Sequence, residues 1–253
     1  MKRTASKQIL NGLASLIFAA SAVMALTGCL PSVTPVAQAT PRILTVASTP
    51  ALQPLNDLYH RCAEAQENTG LVILDTPAQA IDAAHTPLAL RWGAPGSVDG
   101  FSAILGQEEL ALVVNPHNPL QQTSLETLKS IYTGSRRTWN ELALPAEIHA
   151  WAYPAGEDIE DVFRETVLGA PVSQHITSTA PDPSAMREAI AADPAAIGFL
   201  PRRWLDSTVK ELTIEGIDPS QLRRPILAQS RTEPVGLEKS WLLCVQSRLN
   251  GYN

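Results

Sequence analysis

Catalytic signatures are what this 253-residue chain lacks. Its five histidines, at positions 60, 85, 117, 149 and 175, show neither His-x-His nor His-Glu-x-x-His spacing, and its three cysteines include no Cys-x-x-Cys pair. That leaves no metal site to read from ligand spacing. There is no P-loop and no Gly-x-Gly-x-x-Gly turn to cradle a nucleotide phosphate. The closest approach to a nucleophile elbow, Gly96-Ser97-Val98-Asp99-Gly100, has its serine one place early and sits in a loop pattern. Two acidic pairs, Glu108-Glu109 and Glu157-Asp158, are expected to be solvated or dipole-complementing surface residues rather than an acid/base couple. The expectation is a protein that is not an enzyme and carries no cofactor and no metal.

Excess positive charge is also missing. No basic stripe with interleaved aromatics is present, which argues against a nucleic-acid surface. The N-terminus holds three of the 19 Lys and Arg residues: Lys2, Arg3 and Lys7 precede an uncharged, mostly apolar stretch from Ile9 to Leu26. This is the order of a basic n-region, an apolar h-region and small residues before a cut. The stretch is short for a membrane span and is diluted by Asn11, Ser15 and Ser21. Its last residues, Leu26-Thr27-Gly28-Cys29, resemble the lipobox of bacterial lipoproteins, which implies cleavage after residue 28 and diacylation of Cys29. Removing 1–28 leaves 16 basic against 25 acidic residues, a net charge of −9. Such a domain is repelled by anionic lipid, so the lipid at Cys29 is expected to be its whole membrane contact. The expected place is the extracytoplasmic face of the cell membrane.

Residues 29–41 read as a tether, with Pro31, Pro35 and Pro41 and no charge. From Arg42 onward short apolar runs alternate with helical patterns, an α/β signature. Strands are expected at Ile43–Ala47, Leu71–Leu74, Leu88–Arg91 and Ala196–Leu200. A helix is expected over Pro50–Gln66, capped by Thr49, with Leu55, Leu58, Tyr59 and Cys62 on one face. A second helix starts at the capping-box pattern Thr123-Ser124-Leu125-Glu126 and ends at Gly134. A third begins near Glu157, with Ile159, Val162, Phe163, Thr166 and Val167 in helical phase. Asp182-Pro183 opens a fourth, and Trp241, Leu242, Val245 and Leu249 mark a last one carrying Cys244. Cys62 and Cys244 are either a disulfide, which an oxidising compartment would favour, or two buried thiols.

The most informative segment is Glu109-Leu-Ala-Leu-Val-Val-Asn-Pro-His-Asn-Pro119, followed by Thr123–Gly134 and then Arg137-Thr-Trp-Asn-Glu-Leu142. An apolar strand, an Asn-Pro-x-Asn-Pro exit, a capped helix ending in Thr-Gly and a Trp-Asn turn follow one another. This order resembles the phosphate-binding-protein-like branch of the type II periplasmic binding protein superfamily. Val46-Ala-Ser-Thr-Pro50 stands at that family's first ligand loop, and Ala196-Ile-Gly-Phe-Leu200 resembles its Ala-Ile-Gly-Tyr strand. The resemblance implies a two-lobe α/β fold with two interlobe crossovers and a ligand cleft. On that pattern lobe I comprises 42–114 plus 226–253, and lobe II comprises 115–225. It further implies a monomeric solute-binding component of an ABC-type importer, with a permease as partner and a small polar solute as ligand. The alternative is a sensor or interaction lipoprotein that keeps the fold without a working cleft. Ser48, Thr49, Arg91, Trp92, Tyr153 and Gly156 are the candidate contacts; the plain structural alternative is a helix cap for Ser48 and Thr49, a surface arginine for Arg91 and a half-buried tryptophan for Trp92.

Two departures from the family stand out. Tyr153-Pro-Ala-Gly-Glu-Asp158 replaces a Ser-Gly-Thr loop, and Asp75-Thr-Pro-Ala78 replaces a Gly/Ser-rich turn. Carboxylates at Glu157 and Asp158 would repel an anion about 5 Å away by roughly 3 kcal/mol at an effective dielectric near 20, about a hundredfold in affinity. A neutral or cationic solute, or none, is therefore expected in place of inorganic phosphate.

Overall fold

A computed structural model describes residues 40–82, 86–93, 100–139, 147–169 and 178–251. The leader, Cys29, most of the tether, the Gly96 loop and His85 and His175 lie outside them. Strands β1 (Arg42–Ser48), β2 (Thr69–Asp75) and β3 (Ala89–Trp92) form a parallel set in the order β2-β1-β3. Antiparallel β10 (Arg223–Ser230) separates β3 from the long β4 (Phe101–Val114). The second part of the sheet runs on from β4 to β8 (Ala196–Pro201), β6 (His149–Ala152) and β7 (Ser178–Thr179). Short β5 (Gln122–Ser124) and β9 (Lys210–Glu215) pair with each other, and β9 also pairs with the end of β4. Strand β4 pairs with β10 over Phe101–Glu109 and with β8 over Leu110–Val114, so one strand serves both halves.

Helices cover these sheets for reasons visible in their sequences. The segment expected to be one helix from Pro50 to Gln66 is instead a 3-10 turn over Pro50–Leu55 followed by α1 (Asn56–Glu64). Pro54 has no N–H for the α ladder, so the regular helix starts after it. Helix α1 packs against α5 (Gly236–Asn250): Trp241 Nε1 donates to the Tyr59 carbonyl at 3.0 Å, and Cys62 and Cys244 form a disulfide with Cα atoms 5.7 Å apart. Helix α2 (Leu125–Tyr132) is capped by Ser124, whose Oγ accepts from the Thr127 N–H at 3.0 Å. The cap falls one residue later than the sequence pattern suggests: Thr123 and Ser124 both belong to β5, paired with Ile214 and Glu215 of β9, and the helix starts after the strand's last residue. Asp182 caps α4 (Pro183–Ala192) by accepting from the Ala185 N–H at 2.9 Å. Helix α3 (Asp158–Phe163) starts with Glu157 as its cap residue and widens into a π-helical turn over Arg164–Leu168.

The second half has an aromatic centre. Phe163 stacks on Phe199 with ring centroids 3.9 Å apart, Tyr132 meets Phe163 at 4.6 Å, and Tyr153 meets Phe199 edge-on at 5.4 Å. Strand β8 is buried along its whole length, and a Cβ at Gly198 would stand 2.5 Å from Met186 Sδ, so glycine lets α4 lie against the strand. The Asn-Pro-x-Asn-Pro exit has a structural job here. Buried Asn115 donates through Nδ2 to the carbonyls of Ile190 and Ala191, satisfying the end of α4, while Asn118 donates to the Pro194 carbonyl.

Candidate functional site

The site lies where the carboxyl ends of β1, β2 and β3 face the start of α3. Ser48 ends β1 and Thr49 follows it, and both are 1% exposed. The Ser48 hydroxyl has no hydrogen-bond partner among the described residues. Thr49 makes no cap bond to the turn it precedes; its hydroxyl makes no close hydrogen bond, yet it lies near enough to Asp158 to help hold that carboxyl down. Arg91 and Trp92 end β3. Trp92 is 2% exposed and its Nε1 donates to the Arg224 carbonyl at 3.3 Å, so the ring is a core residue and not an open stacking surface. Tyr153 follows β6; it is buried, and its hydroxyl donates to the Phe199 carbonyl at 3.1 Å. Burial, with the carboxylates of Asp182 and Glu160 nearby, pushes the Tyr153 hydroxyl well above its ordinary pKa. Gly156 adopts φ +88°, and a Cβ there would stand 3.4 Å from Gln79 Cβ, so the two sides are in contact at this turn.

The two residues that sequence reading treats as surface carboxylates hold the centre of the site. Glu157 is 7% exposed and Asp158 4%. The Asp158 Oδ1 accepts from Arg91 Nη2 at 2.7 Å and from Arg91 Nε at 3.1 Å, and its Oδ2 accepts from the Trp92 N–H at 2.9 Å. Glu157 Oε2 accepts from the Ala78 N–H at 3.1 Å, and its Oε1 from Gln79 Nε2 at 3.5 Å. A further bond, Trp204 Nε1 to the Ala51 carbonyl at 3.0 Å, also joins the two halves. The sequence does not reveal this arrangement, because a carboxylate in a first helical turn has an ordinary dipole role and the partner lies 67 residues away. Glu108 is 3% exposed as well, in contrast to the solvated placement expected for it.

Burial is the largest influence on both carboxyls and raises their pKa values. For Asp158 it outweighs the lowering by Arg91 and the Trp92 N–H, and for Glu157 it outweighs the lowering by the Ala78 N–H. Between Thr49, Pro50, Tyr153, Asp158 and Asp182 there remains a cavity of about 10 Å³, room for one water at most. Among the described residues no group of His, Cys, Asp and Glu is arranged to hold a metal ion, and no helix is long and apolar enough to cross a membrane.

Two α/β halves sharing a crossing strand, with a polar cleft at the strand ends, define a two-lobe binding-protein fold. A family model described as a PBP superfamily domain matches residues 100–237, more than half of the chain, and the chain belongs to that family. It is 31% identical over 125 residues to the phosphate-binding protein PstS of Bacillus subtilis (strain 168), an alignment covering 48% of this chain. The chain spans 40% of the length of that relative. Among solved structures it resembles a phosphate-bound protein of Clostridium perfringens assigned to phosphate ABC transport as the substrate-binding protein. That match has a TM-score of 0.73 and 17% identity, over 81% of this chain and 93% of the other. It also resembles the regulatory domain of CcmR from Synechocystis PCC6803 in complex with 2-PG, with a TM-score of 0.63 and 12% identity, over 82% and 97% of the two chains. At these identities the structural likeness is one of fold.

Proposed function

We propose that this chain is the lipid-anchored, extracytoplasmic solute-binding component of an ABC-type importer of the phosphate-binding-protein-like family, tethered through Cys29 and selective against inorganic phosphate. Lobe I is taken as 42–114 plus 226–253 and lobe II as 115–225. Family membership and the PstS relative support the transport reading. The observation that carries the selectivity is the Asp158 carboxylate, held at 2.7 to 3.1 Å by Arg91 and the Trp92 N–H, where an incoming oxyanion would otherwise find donors. Because Asp158 is turned inward onto Arg91, the pair is close to neutral, and an incoming anion finds the guanidinium and the Trp92 N–H already taken. A neutral or cationic small solute fits this charge balance.

The sensor or interaction reading is favoured by a separate observation, the small size, about 10 Å³, of the cavity between the described residues of the cleft, and by a fold shared with a regulatory domain. Isothermal titration of the detergent-solubilised protein with inorganic phosphate at neutral pH tests the selectivity. No binding in the micromolar range is expected, and a submicromolar Kd would restore a phosphate receptor. A thermal-shift panel of neutral and cationic solutes separates the two readings: a saturable shift supports the importer component, and none supports the sensor.

A further inference from the structure

Arg91 and the Trp92 N–H form a receptor of carboxylate size. Three N–H donors from one strand end converge on two oxygens: Arg91 Nε and Nη2 on Oδ1, and the Trp92 N–H on Oδ2. A guanidinium beside an inward backbone N–H is a common way to bind an oxyanion. The Asp158 side chain in that receptor is 4% exposed, while Arg91 keeps 30% of its surface in water. The donors belong to β3 and the acceptor to the first turn of α3, so making these bonds and closing the cleft are one event. Glu157 repeats the pattern one residue earlier, on the Ala78 N–H of the same side.

We propose that Asp158 is a built-in ligand: a tethered carboxylate that occupies the anion receptor at Arg91 and Trp92 and closes the cleft with no solute bound. This deepens the proposed function at the same site and rests on reading that site as the cleft. A group held opposite the receptor by the same folded chain competes at an effective concentration of about millimolar or more. A free carboxylate or phosphate at micromolar concentration therefore loses to it. The device is not a rigid lock. Burial raises the pKa of Asp158 against the pull of Arg91 and the Trp92 N–H, and Arg91 keeps 30% of its side chain in water, where another oxyanion can reach it. Exposing the receptor requires that Asp158 leave, and opening the cleft also requires that the Glu157 bonds to Ala78 and Gln79 and the Trp204 bond to Ala51 be released.

The test compares the full-length protein in detergent with its Asp158→Ala variant, titrated separately with sodium acetate and with inorganic phosphate. Acetate restores the missing carboxylate, and phosphate asks whether the receptor accepts a larger oxyanion. The variant is expected to bind acetate at least about tenfold more tightly than the wild type, a difference of about 1.4 kcal/mol. Adding Arg91→Ala to Asp158→Ala should abolish that gain. A cooperatively melting Asp158→Ala variant with no gain for acetate, or a gain that survives Arg91→Ala, overturns the proposal. Should Asp158→Ala not fold, Asp158→Ser, which also vacates the receptor, replaces it, with a gain supporting the idea and no gain overturning it. The wild-type titration with phosphate reads the proposed function; the variant-to-wild-type ratio and its dependence on Arg91 read the built-in ligand.

Discussion

Two arginine–carboxylate clusters join the halves of this protein, one beside an open hollow and one in the cleft. At the crossing strand Glu109 pairs with Arg202 and Arg223, and Glu108 with Arg203, beside an open hollow of about 700 Å³. The three arginine side chains there are 35% to 55% exposed. At the cleft, Asp158 meets Arg91 with almost no room left around it. Exposed pairs gain little, because water already stabilises each charge. In the cleft the same chemistry costs desolvation, orders a backbone N–H and decides what else can enter. Glu109 with Arg202 and Arg223 is therefore solvated bracing at the crossing strand, whereas Glu108, with a side chain 2% exposed, is buried there much as Asp158 is in the cleft it occupies.

The disulfide gives the scale for both. Cys62 and Cys244 close a loop of 182 residues, which the chain-entropy model converts to about 5 kcal/mol. Replacing both by serine should lower the urea midpoint accordingly while leaving the anion selectivity of the cleft unchanged. If selectivity changed too, cleft and outer core would not be separable.

Asp158→Asn should cost less, about 1 to 3 kcal/mol, through the weakened partner of the buried Trp92 N–H. Its effect on pH dependence is the sharper reading. A carboxyl whose folded-state pKa is raised binds its proton more readily in the native protein than in the unfolded chain. Its stabilising contribution is therefore fully present below the ordinary carboxylate range near pH 4 and is lost as pH rises through the raised folded value. Urea melts between pH 4 and 8 should show wild type exceeding Asp158→Asn by most at the acid end, the gap narrowing upward. A gap that widens with pH would mean that Arg91 outweighs burial.

Arg223→Ala sets the lower bound. Its side chain is 55% exposed, and its loss should change stability by less than about 1 kcal/mol, further reduced by salt. A loss as large as that of Asp158→Asn, measured by the same melts, would erase the distinction between the exposed pairs at the crossing strand and the cleft.

Local chemistry determined much of this molecule in advance. Pro50, Pro54 and Pro183 punctuate helix starts, Asp182 caps α4, and the uninterrupted apolar run at 196–200 becomes the fully buried β8. These depend on neighbours a few residues away, so a linear pattern contains them. The shift of the α2 cap from Thr123 to Ser124 does not, since it follows from the pairing of both residues with Ile214 and Glu215 in a strand about 90 residues later. The candidate site divides the same way. The family resemblance put Ser48, Thr49, Tyr153 and Gly156 on its ligand loops, and the strand pattern put Arg91 and Trp92 at a strand end. Whether Trp92 offers a face or fills the core, and whether Glu157 and Asp158 point to water or into the cleft, was decided when β3 and α3 were brought together across the crossing strand. A carboxylate has the same local preferences in either setting; only the tertiary structure supplies the guanidinium, the N–H and the exclusion of water that make it a ligand.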